Sequence, residues 1–521
     1  MITLRSSVLL IKYLFFILII FNVSCIKQKK DNSFENANDL LPKLQVSKSN
    51  PHLLETVGGV PVFLNNYTSW KIIKNSSRED VIRILKTLKE QKFNAISAVL
   101  LNSNEKILYK NDTSFYGTLP FKYDSLGNPD PLLPAITVGD NLLIPGEYDY
   151  WDHVDYFINA CNKNGIYVCL HPTWGKWVSG QYNGPAPGDD IVFNKLNAYK
   201  YGVWLGTRYG EKSNLIWMLG GDRSAQYEVN DSLYDYCKVW SAMAEGIADG
   251  INGENDYDGD ANYSNSLMSY HPRKWAANSS VWFHNEKWLS FNSIQDTPYD
   301  QIASVLYDFC LIPTKPTWLF EGRYEGSTSA WAVRYQAYQT VLGGGFGNTY
   351  GSENWKFPPN WREYLLLPGV QQMAYLYTVV REIWSDDEFV DRIPDQSLII
   401  GGQGSTRGDG MTIGDGDGGP DSEKKVNATS DRITAMRGNS GEWAIIYSAN
   451  GRDLLLDMSQ LSSGKIDAYW FNPRNGMWWV NDKEYSEPIA FNKGITTGTG
   501  SFMFDVPGTP GPNNDWVLVL K

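Results

Sequence analysis

The sequence is poor in the residues that build metal centres and disulfide frameworks. Its 521 residues include five histidines and five cysteines. No two histidines have the spacing of zinc ligands, and no two cysteines form a C-x-x-C pair. A metal-dependent hydrolase is therefore disfavoured, and we expect no metal and no cofactor. Four cysteines lie in stretches with helix or strand patterns, where we predict that they are small core residues: Cys161, Cys169, Cys237 and Cys310.

The sequence also lacks an excess of basic residues. Lysine and arginine number 46 against 58 aspartates and glutamates, so the net charge is -12, and no basic surface is available to neutralise nucleic-acid phosphates. Aromatic residues are abundant instead, with 20 Trp and 31 Tyr. Indole and phenol rings stack on the apolar faces of sugars and also carry a polar group, which favours a carbohydrate substrate. The alternative is that a large barrel and sandwich bury many aromatics.

The N-terminus carries the features of an export signal. The first 24 residues contain a basic start, an apolar run and small residues before Cys25. This pattern predicts a lipoprotein signal peptide over 1–24 with Cys25 lipidated; a plain signal peptide and a transmembrane anchor are the alternatives, although the run is short for a bilayer span. The polar stretch 25–50 predicts a flexible tether. We expect a monomer anchored in the outer membrane of the cell envelope, facing the periplasm or the surface.

Apolar runs of strand length alternate with stretches of helical periodicity between residues 51 and 390. Strands that alternate with helices form parallel sheets, and eight such units close into a barrel. We therefore predict an α/β fold, a TIM (β/α)8 barrel. The predicted strands are 60–64, 93–100, 165–174, 215–220, 266–272, 288–292, 317–320 and 345–351.

After residue 391 the pattern changes to short strands separated by glycine-rich turns. No long helical pattern occurs in 391–521, so we predict a C-terminal antiparallel β-sandwich domain. Two stretches rich in Asp and Gly, 249–263 in the barrel and 409–423 in the sandwich, invite calcium binding. The first lacks the ligand order of an EF-hand, and solvated loops are the favoured interpretation of both.

Two of the predicted strands lead into carboxylates. Glu321 follows the seventh strand directly, and Asp222 comes just after the fourth. The carboxyl ends of barrel strands form the mouth where active sites lie, and a glycosidase requires two carboxylates there. We predict a retaining glycoside hydrolase in which Glu321 attacks the anomeric carbon, while Asp222 protonates the leaving oxygen and then activates water. The alternative for Asp222 is an ion pair with Arg223 or Arg208.

Polar and aromatic residues also follow the other strand ends. Their side chains can bind sugar hydroxyls or stack on sugar rings. For each of them, core packing or loop bracing is an equal alternative. The predicted substrate-binding residues are Asn66, His171, Trp174, Arg223, His271, Gln295, Arg323 and Tyr350.

Four motifs resemble those of the apiosidase-like glycoside hydrolases: 171–175 (HPTWG), 217–223 (WMLGGDR), 320–325 (FEGRYE) and 348–351 (NTYG). The resemblance extends over residues 55–521. It implies a barrel followed by a small β-sandwich that has been labelled collagen-binding. It also implies that Asp222 is the acid/base, that Glu321 is the nucleophile, and that the enzyme acts in plant pectin breakdown.

The sequence departs from that family pattern on the substrate side. The family's Gly-Asp-Thr-Ala-Trp after strand one is replaced by 65–70 (NNYTSW), Gln295 is followed by Asp296 instead of Ser-Gly-His, and Asn348 stands where a His is frequent. The catalytic pair is kept while sugar-facing groups change, so the resemblance does not predict apiose as the substrate. Two other classes stay open: a non-catalytic surface glycan-binding lipoprotein, and a protein-binding adhesin that uses the sandwich.

Overall fold

Strands and helices alternate along the N-terminal two thirds of the chain. The structure is a computed structural model that describes residues 40–101, 113–180, 191–274, 277–295, 301–404 and 431–521. The signal peptide, Cys25 and most of the tether lie outside the described residues, as does the 409–423 stretch. Residues 41–521 form one compact unit.

The main strands of this region are β1 (Leu64–Thr68), β2 (Ala95–Val99), β3 (Tyr167–His171), β4 (Leu215–Gly220), β5 (Met268–His271), β6 (Asn292–Gln295), β7 (Thr317–Glu321) and β8 (Gly347–Ser352). The helices that follow them are α1 (Arg78–Glu90), α2 (Tyr150–Lys163), α3 (Lys195–Tyr209), α4 (Cys237–Asn252), α5 (Ser280–Phe283), α6 (Gln301–Phe309), α7 (Ala330–Leu342) and α8 (Pro368–Tyr377). Shorter strands are Leu44–Val46, Leu54–Thr56, Pro61–Val62, Phe121–Tyr123, Pro129–Pro134, Gln226–Val229, Ser232–Asp235 and Tyr324–Glu325. Shorter helices are Ile72–Asn75, Lys176–Ser179, Tyr263–Asn265, Glu353–Lys356, Trp361–Tyr364, Thr378–Glu382 and Asp386–Val390.

The eight main strands follow one another around a ring in chain order. Parallel ladders connect them as β5-β4-β3-β2-β1-β8, and a separate parallel ladder joins β6 to β7. Hydrogen bonds also connect the two pairs of neighbouring strands that no ladder joins, β5 with β6 and β7 with β8. Between β5 and β6, Ser269 Oγ donates to the Phe291 carbonyl at 2.6 Å, and between β7 and β8 the Phe346 amide donates to the Thr317 carbonyl at 3.0 Å. The predicted TIM barrel is confirmed.

Two predicted strands are displaced along the sequence. β1 begins at the last residue of the predicted run 60–64, so that Asn65 and Asn66 lie within the strand, and β6 likewise begins at the end of 288–292. The prediction followed apolar runs, whereas the barrel interior accepts polar side chains that neighbouring strands satisfy. Asn66 Nδ2, for example, donates to Ser97 Oγ on β2 at 2.7 Å.

The C-terminal region is built from antiparallel strands in two layers. In the described residues they are β9 (Arg392–Pro394), β10 (Ile433–Gly438), β11 (Ala444–Ser448), β12 (Leu454–Asp457), β13 (Gly464–Asn472), β14 (Met477–Val480), β15 (Lys483–Tyr485), β16 (Asn492–Thr497), β17 (Ser501–Phe504) and β18 (Trp516–Leu520), with short helical turns at Gln396–Leu398 and Met458–Gln460. One sheet has the order β9-β10-β11-β18-β13-β14-β15, with β16 also paired to β13, and β12 pairs with β17. The predicted β-sandwich is confirmed.

The central strands β11 and β18 of the larger C-terminal sheet are buried on both faces. Along β11, Ala444 and Ile446 contribute to the sandwich core, whereas Ile445 and Tyr447 contribute to the core shared with the barrel, as the alternation of side chains along a strand requires. Helix α7 of the barrel packs against this sheet, and its residues from Trp331 to Leu342 are all buried. Barrel and sandwich therefore share an extensive apolar interface.

A buried ion pair crosses the same interface. Arg334 on α7 donates to Asp515 through Nε at 2.9 Å and through Nη2 at 2.8 Å. The remaining polar groups nearby are also paired, since Arg334 Nη1 donates to Gln372 Oε1 at 2.7 Å and the Tyr447 hydroxyl donates to Asp515 at 3.1 Å. A buried charge pair is tolerated when its hydrogen bonds are satisfied in this way.

The internal cysteines differ in burial. Cys161 and Cys169 are buried, Cys237 is half-buried, Cys310 is exposed, and all four are free. The prediction of four core cysteines is therefore wrong for Cys310, which follows the last turn of α6. In the described part of the chain, no helix is long and apolar enough to cross a bilayer.

Candidate active site

Four barrel strands end in polar residues that are almost fully buried. β3 ends at His171, β5 at His271, β6 at Gln295 and β7 at Glu321, and their exposed fractions are 0%, 0%, 7% and 6%. The carboxyl ends of the strands of a parallel barrel lie at one end of it. These four side chains therefore form one cluster in the mouth, as the sequence predicts for all of them.

Glu321 is held by hydrogen bonds on both of its oxygens. Gln295 Nε2 donates to Oε2 at 2.8 Å, and His271 Nε2 lies 2.8 Å from the same oxygen. The Tyr324 hydroxyl donates to Oε1, and Trp70 Nε1 in turn donates to that hydroxyl at 2.9 Å. Donors on both oxygens therefore fix the direction of the carboxylate.

Asp222 lies on a tight turn directly after β4. Three consecutive residues have positive φ angles: Gly220 at 80°, Gly221 at 120° and Asp222 at 54°. Only glycine adopts such angles freely, and a Cβ on Gly221 would lie 2.8 Å from the Trp174 ring. Asp222 has no such freedom, and a non-glycine residue held at positive φ is a strained position of the kind found at functional sites.

Of the two arginines considered as ion-pair partners of Asp222, only Arg223 lies near its carboxylate. Arg223 Nη1 lies 3.7 Å from Asp222 Oδ2, while the same guanidinium donates to the Gly180 carbonyl at 3.0 Å and to the Asp222 carbonyl at 2.7 Å. Arg223 therefore braces the turn and contacts the carboxylate only at the outer limit of an ion pair. Arg208 is bound to Asp155 at 2.8 Å instead, so the Arg208 alternative is wrong.

The Tyr324 hydroxyl contacts Glu321 and also senses the charge of Asp222. Burial, the adjacent Glu321 charge and the Asp222 charge all raise the pKa of Tyr324, which lies well above its usual value although the Trp70 hydrogen bond opposes the shift. Tyr324 therefore stays protonated over the working pH range and remains a donor. Asp222 and Glu321, which are far apart in sequence, thus act electrostatically on one hydroxyl.

Aromatic rings surround the histidines of the mouth. The Trp70 ring centroid lies 5.3 Å from those of His171 and Trp174 and 5.6 Å from that of His271. Phe320 lies 5.5 Å from His171 and 5.2 Å from His271. Trp174, predicted to bind substrate, therefore belongs to a packed aromatic group beside Glu321, at the limit of burial.

Two predicted substrate-binding residues lie deeper. Tyr350 is fully buried, its hydroxyl donates to Glu325 Oε2 at 2.6 Å, and the Gly369 amide of α8 donates to the same oxygen at 2.9 Å. Burial and the Glu325 charge raise the pKa of Tyr350 well above its usual value. Asn66 also donates to Thr349 Oγ1 at 3.3 Å inside the barrel. These contacts favour packing roles for Tyr350 and Asn66 over contact with a sugar.

The remaining residues of the mouth lie just after the ends of β7 and β1: Arg323, Tyr324 and Trp70. Arg323 is half-buried, and its backbone amide donates to Gln336 Oε1 on α7 at 2.7 Å, which fixes the turn after β7. The sequence analysis missed Tyr324 and Trp70. The first is signalled by an aromatic hydroxyl three residues after Glu321, and the second by its position two residues after the true end of β1.

Carboxylates in and beside the 249–263 loop, considered for calcium, accept hydrogen bonds from protein groups. Asp249 accepts from the Tyr199 hydroxyl at 2.8 Å, and Glu245 accepts from the Gly259 amide at 2.8 Å. Across the described residues, no group of three or more His, Cys, Asp or Glu side chains is arranged to hold a metal ion.

Comparison with known proteins matches both regions of the chain. Residues 48–385 match the family described as apiosidase-like, catalytic domain, and residues 422–521 match a family described as a collagen-binding domain of a collagenase. No curated protein matches the chain significantly. A solved structure named glycoside hydrolase is 25% identical, with a TM-score of 0.68 over 92% of this chain and 96% of that chain. A glycoside hydrolase family 5 structure from Bacteroides vulgatus ATCC 8482 is 25% identical, with a TM-score of 0.67 over 92% of this chain and 93% of that chain.

Proposed function

Because the chain belongs to the apiosidase-like family of glycoside hydrolases, we propose that Glu321 and Asp222 are its catalytic pair and that it cleaves with retention of anomeric configuration. The observation that carries this proposal is the set of donors around Glu321, together with the action of both carboxylates on Tyr324. Glycoside hydrolysis needs one carboxylate that stays ionised and one carboxylic acid that gives up its proton.

The surroundings of Glu321 suit the nucleophile. Glu321 accepts hydrogen bonds from Gln295 and Tyr324 and contacts His271, and donors on both oxygens hold the attacking group in a fixed direction. Glu321 therefore attacks the anomeric carbon and forms a glycosyl ester. Asp222 gives its proton to the departing oxygen, then takes a proton from the water that cleaves the ester and releases Glu321 unchanged.

We propose a pectin-like plant polysaccharide or oligosaccharide as the substrate. The role in plant pectin breakdown that the family resemblance implies supports this class of substrate, and so does the abundance of Trp and Tyr, whose rings can stack on sugars. The family name refers to apiose, while the substrate-side departures in 65–70, at Asp296 and at Asn348 support a different sugar at the reacting position.

The test is hydrolysis of a plant polysaccharide panel, including de-esterified and methyl-esterified pectin, by the wild type, Asp222→Asn and Glu321→Gln. We expect turnover by the wild type alone. Equal activity of the three proteins would end the assignment of the pair. Binding without turnover, unaffected by either substitution, would favour the glycan-binding alternative. A ¹H NMR spectrum of the first product formed distinguishes retention from inversion.

We also propose that Cys25 is lipidated and holds the enzyme at the outer membrane. The apolar run and small residues before Cys25 support this. Labelled palmitate is expected in the wild-type protein and not in Cys25→Ala. Equal labelling of both would contradict a lipid at Cys25, and recovery of the variant in the soluble fraction tests the anchor itself.

A further inference from the structure

A two-stranded hairpin lies between β4 and α4, directly after the turn that carries Asp222. Its strands, Gln226–Val229 and Ser232–Asp235, pair in antiparallel register, and the two residues between them, Asn230 and Asp231, have φ angles of 50° and 61°. Two consecutive residues at positive φ form the type I′ turn that closes a tight hairpin. Connections from strand to helix need only about 2–6 residues, so this hairpin is an addition to the barrel at its mouth.

Two tyrosines of the hairpin lie on one face, which we call the tyrosine face. Tyr227 and Tyr234 are directly opposite each other in the register, and their ring centroids are 5.5 Å apart at an interplanar angle of 23°. Tyr236, just after the second strand, stacks on the Tyr227 ring at 6.1 Å. Tyr234 is therefore at one end of a row of three rings, where it is half-buried. Because side chains alternate along a strand, Leu233 lies on the opposite face, and it is 65% exposed.

The tyrosine face is turned towards the loop that follows β3. The Tyr227 hydroxyl donates to the Ser179 carbonyl at 2.8 Å, and Ser179 is the last residue of the short helix after β3. The next carbonyl, that of Gly180, accepts from Arg223 Nε at 3.0 Å. One short segment of the mouth therefore holds both the hairpin and the arginine that contacts the Asp222 carboxylate.

Arg223 also connects the hairpin with the Asp222 turn electrostatically. Burial raises the pKa of Tyr227, the neighbouring Tyr236 and Tyr234 hydroxyls add to the rise, and the Arg223 charge opposes it. A guanidinium acts on a phenol in this way only at short range, because solvent and salt screen longer interactions. The row of tyrosines therefore begins beside the group that braces the Asp222 turn.

We propose that the tyrosine face binds the leaving-group side of the glycan, with the Tyr234 ring stacking on a sugar of the departing chain. The proposal rests on the proposed function, because it takes Asp222 as the group that protonates the departing oxygen. The sugar that carries this oxygen has to lie beside Asp222, and the hairpin is the segment that continues from the Asp222 turn. A phenol ring already fixed against a second ring can bind the apolar face of a sugar with little loss of side-chain freedom.

The alternative is that the hairpin only braces the loop after β3. The Tyr227 hydroxyl supplies that contact, and a cross-strand pair of aromatic rings also stabilises a hairpin. Bracing predicts the same effect of a substitution at Tyr234 on every substrate. Binding of the departing chain predicts an effect only on substrates that have sugars on the leaving-group side.

The test compares two kinds of substrate in the wild type, Tyr234→Leu and Tyr234→Phe. An oligosaccharide of the polymer that the panel identifies has sugars on the leaving-group side, whereas the glycosyl fluoride of the reacting sugar loses only fluoride. The ratio of kcat/KM on the oligosaccharide to kcat/KM on the fluoride therefore reports contacts with the departing chain. We expect this ratio to fall by about 3- to 10-fold in Tyr234→Leu and to stay near the wild-type value in Tyr234→Phe, which keeps the ring.

Leu233→Ala is the matched control, since it alters the neighbouring residue on the other face of the same strand. It should leave the ratio at the wild-type value. A wild-type ratio in Tyr234→Leu, or an equal fall in Leu233→Ala, would overturn the proposal. A fall of the same size in Tyr234→Phe would also contradict it, because that variant retains the stacking surface.

Transfer of the sugar to an acceptor gives a second readout. A retaining enzyme can pass its glycosyl ester to a sugar bound on the leaving-group side, in competition with water. With the fluoride as donor and the fragment released from the polymer as acceptor, the ratio of transfer to hydrolysis should fall in Tyr234→Leu by a similar factor, and an unchanged ratio would overturn the proposal. If Glu321→Gln hydrolysed the fluoride at the wild-type rate, the proposed catalytic pair would be wrong instead, and that comparison involves no change in the hairpin.

Discussion

Two buried carboxylates in this protein are satisfied in opposite ways. Asp515, at the interface of barrel and sandwich, is bound by two nitrogens of the Arg334 guanidinium. Glu321, in the mouth, accepts from an amide and a phenol and contacts an imidazole. Both carboxylates are almost fully enclosed, so each needs its hydrogen-bonding capacity filled.

The difference lies in the charge of the partners. A guanidinium compensates a buried carboxylate permanently, which suits a group that has only to hold two domains together. The same pairing would lower the nucleophilicity of a carboxylate that has to attack carbon. The Gln295 amide and the Tyr324 hydroxyl, which bind the oxygens of Glu321, carry no charge. They fix its direction without the permanent compensation that a guanidinium gives.

The largest expected effect is that of Glu321→Gln. The substitution keeps the shape and removes the charge, so kcat should fall by at least about 10⁴-fold, as for the loss of a nucleophile elsewhere. Because no fixed cation is left unpaired, the melting temperature should change little. Initial rates on the substrate found in the panel and a thermal melt measure the two quantities; retained activity would contradict the assignment.

Asp222→Asn should have the next largest effect. Loss of an acid/base group costs about 10²- to 10⁴-fold in kcat, but an aryl glycoside with an acidic phenol leaves without help from a proton donor. The first step should therefore be largely restored with nitrophenyl glycosides, and azide should replace water in the second step. An equal loss of rate on natural and nitrophenyl substrates would argue against Asp222 as the acid.

Asp515→Asn tests the other member of the comparison. Removal of the charge leaves Arg334 buried without compensation, and we expect a loss of about 3–5 kcal/mol in the free energy of unfolding. Denaturant melts measure this loss. The matched double variant Arg334→Met with Asp515→Leu should regain most of it, and kcat of the folded fraction should stay at the wild-type value in both. A negligible effect of Asp515→Asn would break the comparison.

In the part of the chain that the structure describes, no cation contacts the Asp308 carboxylate, which has few hydrogen-bond donors. Burial raises the pKa of Asp308 to about 6, against hydrogen bonds from Ser280 and Asn278. The folded-state pKa lies above the unfolded value of about 3.9, so ionisation opposes folding, and stability declines as pH rises from about 4 through about 6. Asp308→Asn should therefore gain about 2–3 kcal/mol at pH 7 and nothing at pH 4. Denaturant melts of both proteins at pH 4 and pH 7 measure this gain. An equal difference in stability between variant and wild type at the two pH values would contradict the prediction.

The smallest effects are expected for Tyr324→Phe and Trp70→Phe. The substitution removes one donor to Glu321 and leaves Gln295 and His271 in place, so kcat should fall by about tenfold, equivalent to about 1.4 kcal/mol of lost hydrogen bonding. Trp70→Phe, which removes only the bond to the Tyr324 hydroxyl, should cost less. A larger loss for Trp70→Phe than for Tyr324→Phe would mean that Trp70 acts on substrate directly.

The barrel could be predicted because most of its strands are apolar runs, and Glu321 and Asp222 were predicted because they interrupt or follow such runs. The same criterion misplaced β1, whose interior-facing Asn66 donates through Nδ2 to side chains of β2 and β8. With β1 ended too early, Trp70 received no position at the mouth.

The sequence also did not predict the direction in which individual side chains point. Tyr350 lies on a correctly predicted strand, yet its hydroxyl is taken up by Glu325. Tyr324 was passed over in favour of Arg323, although Tyr324 is the residue that reaches Glu321. Which residue of a turn after a strand faces the site depends on backbone angles that residue types do not determine.

The most direct measurement of the central claim is peptide mass mapping of Asp222→Asn after incubation with an activated aryl glycoside of the sugar that the panel identifies. Without its acid/base the enzyme should accumulate the glycosyl ester, and the account predicts one sugar attached to Glu321. A sugar on another side chain, or product of inverted configuration with no adduct, would contradict it.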